Sequence, residues 1–158
     1  MLVHVLSDTH GEIKSYIKKI SSSARPELIL HLGDYVEDAG QIREGTQIIT
    51  YDIRGNNDFM RTDVPMERLI EIEQKKFLLV HGHLENVHFG LDKLYFKALS
   101  MEAEYVLFGH THIQLDVEYN GIRFLNPGSI SRPRNRNGKK TFISMRIKDK
   151  LEVEFIEL

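Results

Sequence analysis

Six short apolar runs in this chain each stop at a polar cluster containing glycine, and that repetition limits the fold more than any other feature of the sequence. LVHVL ends at Ser7-Asp8-Thr9-His10-Gly11, residues 28–32 end at Gly33-Asp34, and residues 48–53 end at Gly55-Asn56-Asn57-Asp58. Residues 77–80 then end at His81-Gly82-His83, residues 106–108 at Gly109-His110, and residues 122–125 at Asn126-Pro127-Gly128-Ser129. Short continuous apolar runs bounded by turn residues read as strands buried on both faces. Ligands of open α/β sheets sit outside the carboxyl ends of strands, so the six clusters are expected to meet along one edge.

The segments between these runs supply the remaining layers. Ile13, Tyr16, Ile17, Ile20 and Ala24 form one apolar stripe at helical spacing, which Pro26 terminates. Leu91, Leu94, Tyr95 and Ala98 form another within residues 89–101. Residues 68–73 alternate apolar and charged as a half-exposed strand does, residues 113–119 lead into a hairpin at Asn120-Gly121, and residues 141–147 and 151–156 pair across Lys148-Asp149-Lys150. About ten strands and two or three helices exceed one doubly wound layer, so the expectation is an α/β fold with two packed sheets and helices outside. No repeat or linker divides it, so residues 1–158 are expected to form one domain.

The chain has no cysteine, which leaves His, Asp, Glu, Asn and backbone oxygen as the available metal ligands. A net charge of -2 argues against a broad electrostatic grip on nucleic acid. The start, MLVHVLSDTH, lacks a basic leader and a cleavage site, and no run of about 18 apolar residues occurs, so a cytoplasmic protein without a membrane partner is expected. Homo-oligomerisation stays open.

The strand ends together offer Asp8, His10, Asp34, Asn56, His81, His110 and His112. In a strand, residues two apart share a face. His110 and His112 are therefore expected to aim both imidazoles into one cleft, with Gly109 permitting an unusual backbone turn. Seven such donors exceed one metal and suit two, with a carboxylate, Asp34, as the natural bridge. Taken singly, Asp8 would also serve as a helix cap and Asn56 as a turn residue. His4, His31 and His88 are assigned to core or surface, and His83 either to a substrate-facing or supporting role or to solvent. Asp58 is expected to orient a metal ligand. Arg132 and Arg134 are candidates for guiding an anionic ester, ahead of Arg136, Lys139 and Lys140 in the same run.

D-x-H at 8 to 10, G-D at 33 to 34, G-N-x-D at 55 to 58, H-G-H at 81 to 83 and G-H-T-H at 109 to 112 follow one another in an order that resembles the calcineurin-like metallophosphoesterases. Length and the NPGSISRPR segment at 126–134 are similar to the small prokaryotic phosphodiesterases of that superfamily. The resemblance implies a four-layer α/β/β/α sandwich and a dinuclear centre. It places Asp8, His10 and His112 on the first metal and Asn56, His81 and His110 on the second, with Asp34 bridging. The implied cofactors are two divalent ions, manganese foremost, with iron, nickel, zinc or cobalt as alternatives.

The implied activity is phosphodiester hydrolysis of a small phosphate ester by in-line attack of a metal-bridging hydroxide, with Asp34, Asn56, Asp58 and His83 in the catalytic set. Phosphomonoesterase or nucleotide pyrophosphatase activity on the same centre is the alternative. A non-catalytic scaffold of the retromer-subunit type is a further one, disfavoured because all seven ligand positions carry metal-binding residue types. The chain departs from the family's protein phosphatases in having Glu37 and Asn57 where those carry the acid-donating Asp–His pair.

Overall fold

The computed structural model describes residues 1–22 and 24–158. Five strands form one sheet in the order β10-β9-β1-β2-β3. They are β1 (Leu2–Leu6), β2 (Leu28–His31), β3 (Ile49–Asp52), β9 (Thr141–Ile147) and β10 (Leu151–Glu157). The second sheet has the order β4-β5-β6-β8-β7, built from β4 (Glu67–Ile72), β5 (Lys75–Val80), β6 (Tyr105–Phe108), β7 (Gln114–Tyr119) and β8 (Ile122–Pro127). β1, β2 and β3 run parallel, as do β5, β6 and β8, while β9, β10, β4 and β7 pair antiparallel.

Alternation along the buried strands explains the four layers. Val3, Val5, Leu28 and Leu30 of one sheet meet Phe77, Leu79, Leu107 and Leu125 of the other in the central core. The residues between them point outward: Leu6, Ile29 and Phe142 pack under α1 (Lys14–Ser21) and α2 (Val36–Thr46), with Tyr16, Ile20 and Ile42. On the far side Leu78, Val80, Val106 and Phe124 pack under Leu94 and Ala98 of α3 (Asp92–Ser100). This is the expected α/β/β/α sandwich. None of the described helices is long and apolar enough to cross a membrane.

Three local features differ from the sequence reading. α1 ends at Ser21, short of Ala24 at the end of the expected stripe. α2 has no counterpart in the sequence pattern: it contains Gly40 and Gly45, and only Val36, Ala39 and Ile42 supply its buried apolar face. The β4–β5 turn puts Glu73 and Gln74 at φ 49° and 62°, the left-handed pair of a tight hairpin without the usual Asn-Gly.

His4 sits in β1, 3% exposed, with Nδ1 3.1 Å from the Tyr16 hydroxyl and its ring on Phe142. Burial pushes this imidazole from its ordinary 6.5 down to about 4. The unfolded chain takes up the proton near pH 6.5 while the folded chain resists it. Stability is therefore full above 6.5 and falls by about 3 kcal/mol as the pH drops to about 4. In urea titrations, the stability of the wild type minus that of His4→Val is expected to fall by about 3 kcal/mol from pH 7 to pH 4. A pH-independent difference contradicts this role.

Candidate metal centre

The carboxyl ends of β1, β2, β5 and β6, with the turn after β3, bring all the expected donors to one edge. Ligand atoms of Asp8, His10 and His112 lie within 4.8 Å of one another, as do those of Asp8, Asp34 and His81. His81 Nε2 is 3.4 Å from Asp34 Oδ1 and 3.1 Å from Asn56 Oδ1, and the His110 ring centroid is 5.2 Å from that of His81. On the other side His10 Nε2 is 3.9 Å from Asp34 Oδ2, and His112 Nε2 is 3.1 Å from Asp8 Oδ1. Asp34 thus turns one oxygen towards each histidine group. Asp8 also lies between them, since its Oδ1 is 3.9 Å from His81 Nε2, but its Oδ2 already accepts the His110 backbone N–H at 3.0 Å.

The backbone delivers these side chains in an unusual way. Asp8, His10, Asp34, His110 and His112 all have positive φ, between 44° and 67°. Each such non-glycine residue costs on the order of 1–3 kcal/mol, and such strain gathers at functional sites. β6 ends at Phe108, so His110 and His112 are not two residues on one strand face. Their left-handed turns separate them: His110 goes to the His81 side and His112 to the His10 side. Gly109 is likewise not at positive φ. A Cβ there would overlap Ser7 Oγ and come within 2.9 Å of Asp8 Oδ2, so glycine is required for close approach between strand ends.

Hydrogen bonds fix the imidazoles with Nε2 inward. His81 Nδ1–H donates to Leu32 O at 2.7 Å, and His112 Nδ1–H donates to Arg132 O at 2.6 Å. A neutral imidazole held in this way presents a lone pair, not a proton, at Nε2. Asp8 Oδ1 and both ring nitrogens of His10 are buried without a hydrogen-bond partner in the protein. Burial works to raise the Asp8 carboxyl, but the neighbouring His112 and His81 rings outweigh burial and bring it down to about 2. Burial, reinforced by His81 and His88, holds His110 down at about 4. His10 is lowered by burial and by Arg132. For His112, burial is overcome by Asp8 and the Arg132 carbonyl, which raise it. Ionised carboxylates and converging imidazole lone pairs without donors form a site that divalent cations fit.

The residues around this set hold its loops. Thr9 O–H donates to Asp38 Oδ2 at 2.6 Å, the Gly11 backbone N–H donates to the same oxygen at 2.7 Å, and His31 Nε2 lies 3.0 Å from Thr9 Oγ1. This chain ties the Asp8–His10 loop to α2. Asp58 makes its hydrogen bonds to backbone N–H groups, those of Tyr35, Val36 and Gly55, at 2.7, 3.0 and 2.7 Å, and so fastens the Asn56 turn to the start of α2. Its position clamps backbone, and no described hydrogen bond joins it to an imidazole. His83 is half-buried with Nδ1 unpartnered, 5.4 Å between centroids from His81, and burial followed by its neighbour His81 lowers it.

Three contributions escaped the sequence reading. His31 and Asp38 position the first loop. His88 places its ring 4.8 Å from that of His110. Arg54, just before the Gly55-Asn56 turn, carries a buried Nε without a partner, and its charge acts on His83. Only Arg54 had a visible signal, as a lone cation at the end of an apolar run. Of the basic run, Arg132 and Arg134 act electrostatically on His10 and His112, whereas Lys139 pairs with Glu157 at 2.6 Å.

Known proteins resemble this chain in sequence and fold. The chain is 31% identical to a probable metallophosphoesterase of Bacillus subtilis, YsnB, over 99% of its length and 91% of the relative's. It is 30% identical to a protein of Methanocaldococcus jannaschii named phosphodiesterase MJ0936, over 81% of this chain and 83% of that one. A crystal structure of a predicted phosphoesterase from Streptococcus pneumoniae superposes with a TM-score of 0.84 at 29% identity, covering 99% of this chain and 88% of the other. Vps29 of Entamoeba histolytica, described in complex with zinc, shares the fold at 22% identity with a TM-score of 0.81, covering 99% of both chains. The model of the calcineurin-like phosphoesterase superfamily domain matches residues 1–150. With its strand-end carboxylates and imidazoles converging on one edge, the chain belongs to the calcineurin-like phosphoesterase superfamily and is a metallophosphoesterase.

Proposed function

We propose that the protein is a metal-dependent phosphodiesterase working at a dinuclear centre. The observation that carries this reading is the Asp34 carboxylate, which faces His10 through one oxygen and His81 through the other, beside the buried, unpartnered Asp8 Oδ1 and His10 ring nitrogens. Two divalent ions held there would supply Lewis acidity towards the phosphoryl oxygens and acidify water, manganese being our first choice. Asp8, His10 and His112 would hold one, Asn56, His81 and His110 the other, with Asp34 shared.

The protein's own groups would do the rest. His81 and His112 stay in the correct tautomer through the Leu32 and Arg132 carbonyls, so neither needs to reorganise. Arg54 brings a guanidinium without a described hydrogen bond to the His83 side of the centre, where an ester's anionic oxygens would be held. Asn57 donates its side-chain amide to Asp34 Oδ2 at 2.5 Å, and Glu37 pairs with Arg61 at 3.0 Å on the exposed side. Neither is placed to protonate a departing oxygen. A protein without that proton donor suits diesters with good leaving groups, and a relative bears the name phosphodiesterase.

The test is turnover, because a Vps29 described with zinc means that metal content alone does not separate enzyme from scaffold. With Mn²⁺, bis(p-nitrophenyl) phosphate is expected to be hydrolysed in preference to p-nitrophenyl phosphate, and chelation should abolish the activity. Preference for the monoester would favour the phosphomonoesterase reading. Stoichiometric metal without turnover of either ester would favour the scaffold.

A further inference from the structure

An apolar groove of ≈ 570 Å³ opens beside the centre, between the loop at 87–91 and the segment 111–117. Its walls are Val87, His88, Phe89 and Leu91 on one side and Ile113 and Leu115 on the other. The size is that of a small-molecule site. Both walls are fastened to the metal-binding turns. The Val87 backbone N–H donates to Gly82 O at 3.3 Å, and a Cβ on Gly82 would lie 2.9 Å from Val87 Cγ2, so this loop rests on the turn between His81 and His83. The opposite wall starts at Thr111, between His110 and His112, whose Oγ1 accepts the Asn126 amide at 3.1 Å and the Ile113 N–H at 3.2 Å. At the inner end the His88 ring meets the His110 ring edge-on at 4.8 Å. Phe89 at the lip is 93% exposed, Ile113 45% and Val117 37%.

We propose that this groove is the subsite for one ester arm of the substrate, and that this arm carries a planar aromatic ring, an aryl group or a nucleobase. The assignment rests on the phosphodiesterase reading and adds its substrate class. Continuity with the centre decides the occupant: an ester held on phosphorus beside His110 has one substituent directed past His88 into this groove. Most of that lining is apolar, and an aromatic arm there loses water from its faces and gains edge or face contact with His88. A polar arm such as a glycerol or sugar alone would find few partners, Gln114 and Thr111 being the polar side chains besides His88 in the lining.

The test measures binding apart from turnover. On Mn²⁺-loaded protein, calorimetry is expected to show phenylphosphonate binding about ten- to a hundredfold tighter than methylphosphonate. Phe89→Ser and Ile113→Asn, at exposed and half-exposed positions that the fold tolerates, should each bring the ratio towards one. Equal affinities in the wild type, or an undiminished ratio in both variants, would overturn the subsite. Concentration-dependent dimerisation lost in Phe89→Ser, together with equal affinities, would assign the groove to a second copy of the chain and overturn it as well. In parallel, kcat/KM for p-nitrophenyl diesters whose retained alcohol is methyl, phenyl or thymidine separates the two ring sources at constant leaving group. Aromatic selectivity in binding without hydrolysis of any ester would support the subsite while removing the phosphodiesterase reading. Hydrolysis of all three at one rate, with equal phosphonate affinities, would remove the subsite alone.

Discussion

Asp34→Asn is expected to lower kcat/KM by about 10³-fold or more, since the Lewis-acid contribution of a metal is several kcal/mol of transition-state stabilisation and each 1.36 kcal/mol is tenfold. The reason lies in the two directions of one carboxylate. Oδ1 faces His81 at 3.4 Å and Oδ2 faces His10 at 3.9 Å, so only an anion with two equivalent oxygens serves both groups. An amide turns its NH₂ towards one of them and withdraws the charge that both share. Asp34 also accepts the Asn57 backbone N–H at 3.0 Å, and one amide oxygen can preserve that bond, which keeps the fold largely intact. His83→Ala, removing a half-buried ring with an unpartnered Nδ1, is expected to cost far less. Steady-state kinetics with metal analysis of both variants checks the ordering. Near-normal turnover of Asp34→Asn at ordinary metal concentration would move the bridge to Asp8, the other carboxylate between the two groups.

Leaving-group dependence is the second large effect. General acid catalysis is typically worth about 10²–10⁴-fold, and the position expected to supply it holds Asn57, whose amide is already donated to Asp34. Glu37 is turned to Arg61. Diesters whose leaving group departs as an anion unaided should therefore react well, and alkoxide leaving groups slowly. Across aryl and alkyl diesters of similar size, kcat/KM is expected to fall steeply as leaving-group pKa rises. A flat series under rate-limiting chemistry would mean that another acid is present. If His83 is that acid, His83→Ala should restore the steep dependence.

The sequence made the strand ends legible because burial on both faces leaves continuous apolar runs, and because glycine and polar residues mark where each run stops. The donor set followed from the same clusters. Elements carried by tertiary contact were not legible. α2 contains two glycines and few apolar residues, and it is held by Asp58 on its first N–H groups and by Ile42 against the sheet. Its absence from the reading also hid Asp38, whose hydrogen bonds fix the Asp8–His10 loop. For His110 and His112, strand periodicity does not hold: the ladder stops at Phe108, before either residue, and left-handed φ at both sends the rings apart. Gly109 illustrates a limit of local reading, since its requirement comes from Ser7, about a hundred residues earlier in the chain and adjacent only in the fold.

A crystal structure of the protein saturated with Mn²⁺ decides whether the centre is dinuclear. Two ions are expected about 3.5–4 Å apart, with Asp8, His10 and His112 on one, Asn56, His81 and His110 on the other, and the Asp34 carboxylate touching both. A single ion at saturating metal, or two ions that Asp34 does not join, would contradict this assignment.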